Sequence, residues 1–256
     1  MKIGVSGKGG VGKTTLSSLL ASVLAKQGKT VLAVDADPAQ NLGLGLGFPP
    51  DILSRITPVA ELKELISERT ATNPSVPTGL FRYNPKVDDI PEKYWAEYNG
   101  VRLLLVGTIQ AGGAGCACPE NTLLKNLMYH LIVERDETVI LDMEAGLEHL
   151  GRGTTGSMDA LLVVVEPGQK SLQLAARIDK LAGDLGIKKI VFVGNKVGTP
   201  EEEAVVRAGV PSDRLVGFVG YDPGLRRSDL DGTSAYASAS PATLQAIKDL
   251  AKSLDV

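Results

Sequence analysis

The sequence predicts a single α/β domain with a mostly parallel sheet of seven or eight strands, flanked by helices on both faces. Three observations predict it. Seven short apolar runs of strand length recur along the 256 residues. Helix-length segments separate most of them, as the crossovers between parallel strands require. With 43% apolar and 22% charged residues, the chain can bury one large core.

The first run is Lys2-Ser6. After it, Leu16, Leu19, Leu20, Val23 and Leu24 recur at helical spacing and Gly28 closes the pattern, which predicts one amphipathic helix with a glycine stop. The second run, Thr30-Val34, completes a strand-helix-strand unit. Residues 48–100 carry seven of the 14 prolines (49, 50, 58, 74, 77, 85 and 91) and too little apolar material for a core of their own. They read as an elaborated connection holding one helix near Val59-Glu68, inside a single domain of residues 1–256, with a role in partner contact or as a moving cover. The remaining strands are Val101-Val106, Thr138-Leu141, Ala160-Val165, Lys189-Val193 and Leu215-Val219. In the last segment, Pro241 to Val256, Leu244, Ile247, Ala251 and Leu254 share one face, while Lys248 and Lys252 are offset by Asp249 and Asp255. A membrane-seeking helix needs more basic residues, so this one is expected to pack on the sheet.

Composition narrows the function. Twenty-seven Lys and Arg against 30 Asp and Glu give a formal charge of -3, which offers no global attraction to nucleic acid or anionic lipid. The expectation is neither a nucleic-acid nor a membrane partner. The longest unbroken apolar stretch, Ala160-Val165, is far short of the roughly 20 residues a membrane helix needs. The first residues run straight into a strand without a secretory pattern, which points to a cytoplasmic protein. Glycine is enriched, at 29 residues, and clustered.

The main cluster is Gly7-Lys8-Gly9-Gly10-Val11-Gly12-Lys13-Thr14, a phosphate-binding loop between a strand and a helix. Its glycines let successive N–H groups turn around an anion at the positive end of the following helix. Lys13 is placed to bring an ammonium to the terminal phosphates, and the Thr14 hydroxyl to ligate Mg2+. A chance match in a chain this long arises roughly once in a hundred, and the strand-loop-helix context makes it rarer. The fold is therefore that of a P-loop NTPase, with ATP and Mg2+ as the expected ligands. Val139-Ile140-Leu141-Asp142 is an apolar strand ending in a carboxylate, the Walker B pattern that holds the Mg2+ shell, with an exposed strand-end Asp as the alternative. Gly194-Asn195-Lys196 follows a strand. The Asn195 amide can donate and accept at the edge of adenine, or simply cap a turn. Tyr221, in Val219-Gly220-Tyr221-Asp222-Pro223, is a further candidate to approach the base.

The spelling Lys8-Gly9-Gly10-Val11-Gly12-Lys13-Thr14-Thr15 resembles the deviant Walker A loop of the family that holds MinD and ParA, the nitrogenase iron protein and metal-centre maturation ATPases. The resemblance implies nucleotide contacts from Gly9, Gly10, Val11, Gly12, Lys13, Thr14 and Thr15, with Lys196 beside Asn195. It also implies that Lys8 reaches across a nucleotide-sandwiched dimer; a solvated loop lysine is the plainer alternative. By the same resemblance Asp37, in Asp35-Ala36-Asp37-Pro38, orients or deprotonates the attacking water. Asp-Pro is also a common turn starter, so turn chemistry alone is the competing reading.

Both cysteines stand in Gly112-Gly113-Ala114-Gly115-Cys116-Ala117-Cys118-Pro119. In an extended backbone, sulfurs two residues apart point to one face and can bind one soft metal ion. Two thiolates leave a four-coordinate site half empty, and a symmetric dimer completes it. A redox pair and a pair with no special role are the alternatives. Cys116-Ala117-Cys118-Pro119-Glu120-Asn121, the segment from Asp142 to Thr154 and Asn84-Pro85-Lys86-Val87-Asp88-Asp89-Ile90-Pro91 resemble the CooC-type nickel-insertion ATPases, maturation factors for carbon monoxide dehydrogenase with a relative serving acetyl-CoA synthase. That resemblance implies an ATP-controlled homodimer carrying Ni2+ or Zn2+ at Cys116 and Cys118, with one of those enzymes as its nickel client. His130 and His149 form no metal tract, and a packing or switch-region role suits His149. A positioning ATPase of the partition or division type shares Lys8 and Lys13 but calls for a basic or membrane-seeking surface. An electron donor like the nitrogenase iron protein uses two cysteines per subunit set far apart in sequence, unlike this pair.

Overall fold

The computed structural model describes residues 1–71, 81–107, 119–144 and 157–255. The order is β1 (Lys2–Gly7), α1 (Lys13–Lys26), β2 (Val31–Ala36), α2 (Leu42–Leu46), α3 (Pro50–Leu53), a 3-10 turn (Val59–Glu61), α4 (Lys63–Thr70), α5 (Ile90–Tyr94), β3 (Ala96–Tyr98) and β4 (Val101–Leu105). Then come α6 (Pro119–Tyr129), which widens into a π turn (His130–Glu134), β5 (Thr138–Met143), β6 (Ala160–Val165), α7 (Gln169–Asp184), β7 (Ile190–Val197) and α8 (Pro200–Gly209). β8 (Leu215–Gly220), α9 (Pro223–Asp231), α10 (Ala235–Ser238) and α11 (Pro241–Ser253) complete the chain.

Among the described residues one eight-stranded sheet runs β3-β4-β2-β5-β1-β6-β7-β8, and every pair is parallel except β3 with β4. Successive residues of a strand point to opposite faces, and each face has its own core. Leu161, Val163 and Val165 of β6 join a cluster with α6 and α7. Ala160, Leu162 and Val164 join another, built with Leu16, Leu19, Leu20, Val23 and Leu24 of α1 and with Ile247, Leu250, Ala251 and Leu254 of α11. α1 stops as its sequence predicts, with Gly28 at φ 84. α11 packs on the sheet, and no helix among the described residues is long and apolar enough to cross a membrane.

The connection over 48–100 differs from its sequence reading. Val59, Leu65, Ile66, Val87 and Ile90 are buried in the main core, so the described part of the segment packs onto the sheet. The single helix expected near Val59-Glu68 is a 3-10 turn and a separate α4, because Leu62 between them takes a non-helical ψ of 70°. The sheet has eight strands, within the seven or eight expected, but the sequence reading had not located the eighth, β3. It forms a hairpin with β4 through Asn99-Gly100, whose φ values of 49° and 78° are those of the two-residue turn that an Asn-Gly pair favours. The strand runs also extend further than their apolar residues. β5 contains Asp142, and β7 contains Asn195 and Lys196, which the sequence reading placed after the strand.

Candidate functional site

β1 sits between β5 and β6, and the loop that follows it opens above the carboxyl ends of the strands, where open parallel sheets bind ligands. A cleft of about 970 Å3 lies there. It is lined by Gly9, Gly10, Gly12, Lys13, Thr14 and Thr15 from the loop and α1, by Asp37 after β2, and by Asn195, Lys196 and Tyr221 from the far side. Residues from four separate stretches of sequence thus share one cavity. The Val11 side chain is not among the lining; it is fully buried and anchors the loop to the core beside α1.

Lys13 is buried, and its Nζ lies 3.9 Å from Asp37 Oδ2. The other carboxylate oxygen of Asp37 accepts from the Ala39 N–H at 2.9 Å, so turn chemistry and a cleft-facing oxygen coexist in one side chain. Asp142 is fully buried, which removes the exposed strand-end reading. Its Oδ1 accepts from the Ser17 hydroxyl at 3.1 Å, while Oδ2 has no hydrogen-bond partner. Burial pushes its pKa up to about 6, against the pull of the Thr14 and Ser17 hydroxyls and of Lys13. Lys8 is not free in solvent: its Nζ pairs with Glu166, just past β6, at 3.0 Å. That pair is partly exposed and contributes little to stability, but it holds Lys8 against its own chain. Tyr221 is half exposed beside Asp222, whose carboxylate accepts from Gly224 N, Ser240 N and the Thr243 hydroxyl and so ties the start of α9 to the start of α11.

Cys116 and Cys118, with His149, lie outside the described residues. Among the described residues no cluster of three or more His, Cys, Asp or Glu side chains is arranged to hold a metal ion.

Two contributors were missed by sequence reasoning. Glu166 follows an apolar run directly, and its position after β6 was the available signal. Asp35 is the other. It is fully buried, and its two oxygens accept from Asp37 N at 3.1 Å and from Leu42 N at 2.9 Å, bracketing the loop that carries Asp37. It pairs in register with Asp142 on the adjacent strand. Burial raises its pKa to about 7; the Asp142 charge adds to the rise and the two backbone N–H groups oppose it.

The family model described as the CobQ/CobB/MinD/ParA nucleotide binding domain matches residues 3–235. The chain is 43% identical to the carbon monoxide dehydrogenase accessory protein CooC of Rhodospirillum rubrum, over 92% of this chain and 89% of that one. It is also 43% identical to an uncharacterized ATP-binding protein of Methanocaldococcus jannaschii, over 91% and 90% of the two chains. Among solved structures, a chain of the MinC:MinD cell division protein complex of Aquifex aeolicus superimposes with a TM-score of 0.67 at 22% identity, covering 99% and 94% of the chains. A ParA family ATPase from Chlorobium tepidum gives 0.67 at 20% identity, covering 98% and 97%. At these identities the two structures share the fold.

The raised Asp35 pKa makes a stability prediction. In the unfolded chain an Asp loses its proton near pH 3.9, whereas in the folded chain Asp35 keeps it to about 7. Between those values the native state binds more protons, so Asp35 favours folding below about pH 4 and loses that contribution as pH rises toward 7. Asp142 acts with the same sign up to about pH 6. Urea unfolding of the nucleotide-free, metal-free protein should show stability falling over this range, and Asp35→Asn should flatten the fall. Equal pH slopes in the two proteins would contradict the assignment.

Proposed function

This chain is an ATPase that belongs to the CobQ/CobB/MinD/ParA nucleotide-binding family and, within it, to the CooC type, and we propose that it is a homodimeric accessory factor for nickel-enzyme maturation. In this reading the nucleotide state sets the dimer geometry, and Cys116 and Cys118 of each protomer hold one Ni2+ or Zn2+ between them. The nickel is cargo, destined for carbon monoxide dehydrogenase or acetyl-CoA synthase. The observation that carries the nucleotide half is the convergence of Lys13, Thr14 and Asp37 on one glycine-lined cleft, with Asp142 buried behind it against Ser17 of α1. The metal half rests on the Cys-Ala-Cys segment in a chain 43% identical to a carbon monoxide dehydrogenase accessory protein.

The chemistry follows from the side chains. The loop N–H groups and Lys13 receive the phosphates, and charge-assisted bonds of that kind are the strong ones. Asp37 lies within 3.9 Å of Lys13 and orients a water toward the γ-phosphorus, accepting its proton as the bond to the bridging oxygen breaks and ADP leaves. The unpartnered Asp142 Oδ2 and the Thr14 hydroxyl fit the protein side of a Mg2+ shell, since a buried carboxylate oxygen without a donor suits a hard cation. Mg2+, when bound, supplies neutralisation of phosphate charge. Lys8 must leave Glu166 before it can act on a second protomer's nucleotide.

Asp37→Ala should bind ATP with nearly unchanged affinity and hydrolyse it about 10²- to 10⁴-fold more slowly. Titration calorimetry and phosphate release measure the two quantities. Normal turnover in a folded, ATP-binding variant would remove Asp37 from the reaction.

The shared metal site predicts one ion per two chains, because each chain offers two thiols and a Ni2+ or Zn2+ thiolate site takes four donors. Metal should therefore promote dimerisation by mass action, and Cys116→Ser with Cys118→Ser should abolish both effects while leaving ATP affinity intact. Elemental analysis with light scattering decides the matter. One tightly held ion per monomer, or full metal content in the double variant, would overturn it.

A further inference from the structure

We propose that Glu144 is a second catalytic carboxylate for ATP hydrolysis, holding the attacking water together with Asp37, on the reading of the cleft as the ATP site and of Asp37 as its water-handling residue. Its place follows from strand register. Asp35 pairs with Asp142, and Ala36 with Met143, on the adjacent strands β2 and β5. Asp37 and Glu144 are the next residues of the two chains and leave the sheet side by side, one step above the buried pair. Hydrogen-bonded strands run about 4.8 Å apart. Two acceptors that share one water at about 2.7 Å each need a separation of that order. On the other side of β5, Val5 of β1 pairs with Asp142. That sets Glu144 level with Gly7 at the start of the phosphate loop, where the Ser6 hydroxyl approaches Glu144 O at 3.4 Å.

Side-chain direction agrees with register. Residues two apart in an extended chain face the same way, so Glu144 is set on the α1 side, where Asp142 Oδ1 accepts from Ser17. Asp37 and Glu144 both line the cleft beside Lys13 and Thr14. The three carboxylates differ in what they leave for a ligand. Asp142 is buried with Oδ2 unpartnered, which suits a cation. Asp37 spends one oxygen on the Ala39 N–H and keeps the other 3.9 Å from Lys13 Nζ. Glu144 is exposed, and among the described residues its carboxylate has no hydrogen-bond or ion-pair partner. A free carboxylate repels a triphosphate that it meets directly. A water between the two removes the conflict, because it donates to the carboxylate and turns a lone pair to the phosphorus.

A water has two O–H groups. With one on Asp37 and the other on Glu144, a lone pair is aimed at the γ-phosphorus, and fixed orientation of this kind lowers the barrier. As the water oxygen bonds to phosphorus, the bond to the β,γ-bridging oxygen breaks and ADP leaves. One proton passes to Asp37, which later returns it to solvent. The O–H held by Glu144 stays intact and departs with the phosphate.

ATP affinity, the Mg2+ concentration for half-maximal rate and kcat are measured in the full-length protein for wild type, Glu144→Ala, Glu144→Gln, Asp37→Ala and the Asp37→Ala, Glu144→Ala double variant. Glu144→Ala should lower kcat about ten- to a hundred-fold, the range of one hydrogen bond to a charged group. ATP affinity should not weaken, and the Mg2+ requirement should not rise. Glu144→Gln keeps a carbonyl acceptor and should recover part of the rate. Because both side chains act on one water, removing Glu144 should cost less once Asp37 is gone, whereas a role in packing alone gives additive losses. Retained ATP binding shows that each variant is folded. Unchanged kcat in Glu144→Ala, weakened ATP affinity, a raised Mg2+ requirement, additive losses, or a Glu144→Gln rate no higher than that of Glu144→Ala would each overturn the role of Glu144. Lys13→Ala with undiminished affinity, or normal turnover in Asp37→Ala, would instead overturn the reading of the cleft on which that role rests.

Discussion

Two carboxylates, Asp35 and Asp142, lie side by side on adjacent strands at the centre of the sheet, and both are fully buried. Such an arrangement is expensive for an isolated domain: each charge loses its hydration and repels the other. The structure meets the cost with particular neighbours. Asp35 takes backbone N–H groups from Asp37 and Leu42, and Asp142 takes the Ser17 hydroxyl and faces the buried Lys13. Each of these contacts fixes something the cleft needs. Asp35 shapes the loop carrying Asp37, Ser17 sets α1 against β5, and Lys13 stays near Asp37.

One oxygen of the pair, Asp142 Oδ2, stays without a donor. Burial raises the pKa of both groups, which favours their protonated forms in the ligand-free protein. A cation at the Thr14 hydroxyl would reverse that balance, and the polyanion in the loop above would be compensated in turn. The same argument explains why the loop is braced from two sides. The Val11 side chain is pinned below by the core, and the Gly10 and Val11 carbonyls accept from Lys196 and Asn195 of β7.

The strands and the loop were legible because their signals are local. Seven apolar runs became seven strands, and the glycine spacing of residues 7–12 is itself the geometry of an anion seat. α1 and α11 declared themselves by periodicity and end signals. The edge strand Ala96–Tyr98 was too short and too polar to register, although the Asn99-Gly100 turn beside it was a usable sign. The importance of Asp35 was hidden because one of its partners, the Leu42 N–H, is seven residues away and is a backbone group that no side-chain pattern reports. Asn195 and Lys196 were found as a dipeptide, but their shared direction depends on a bulge created by pairing with β8. Lys8 was found as well; its ion pair with Glu166 joins residues 158 positions apart.

The buried carboxylate pair is left partly uncompensated, and a bound cation and nucleotide would complete it. Proton exchange on binding tests this directly. Calorimetric titration of preformed Mg2+-ATP into the protein near pH 6.5, in two buffers of different ionisation enthalpy, counts the protons that move. Net release is expected, because a cation beside Asp142 favours the charged form of both Asp142 and Asp35. Binding without proton exchange, or with proton uptake, would contradict it.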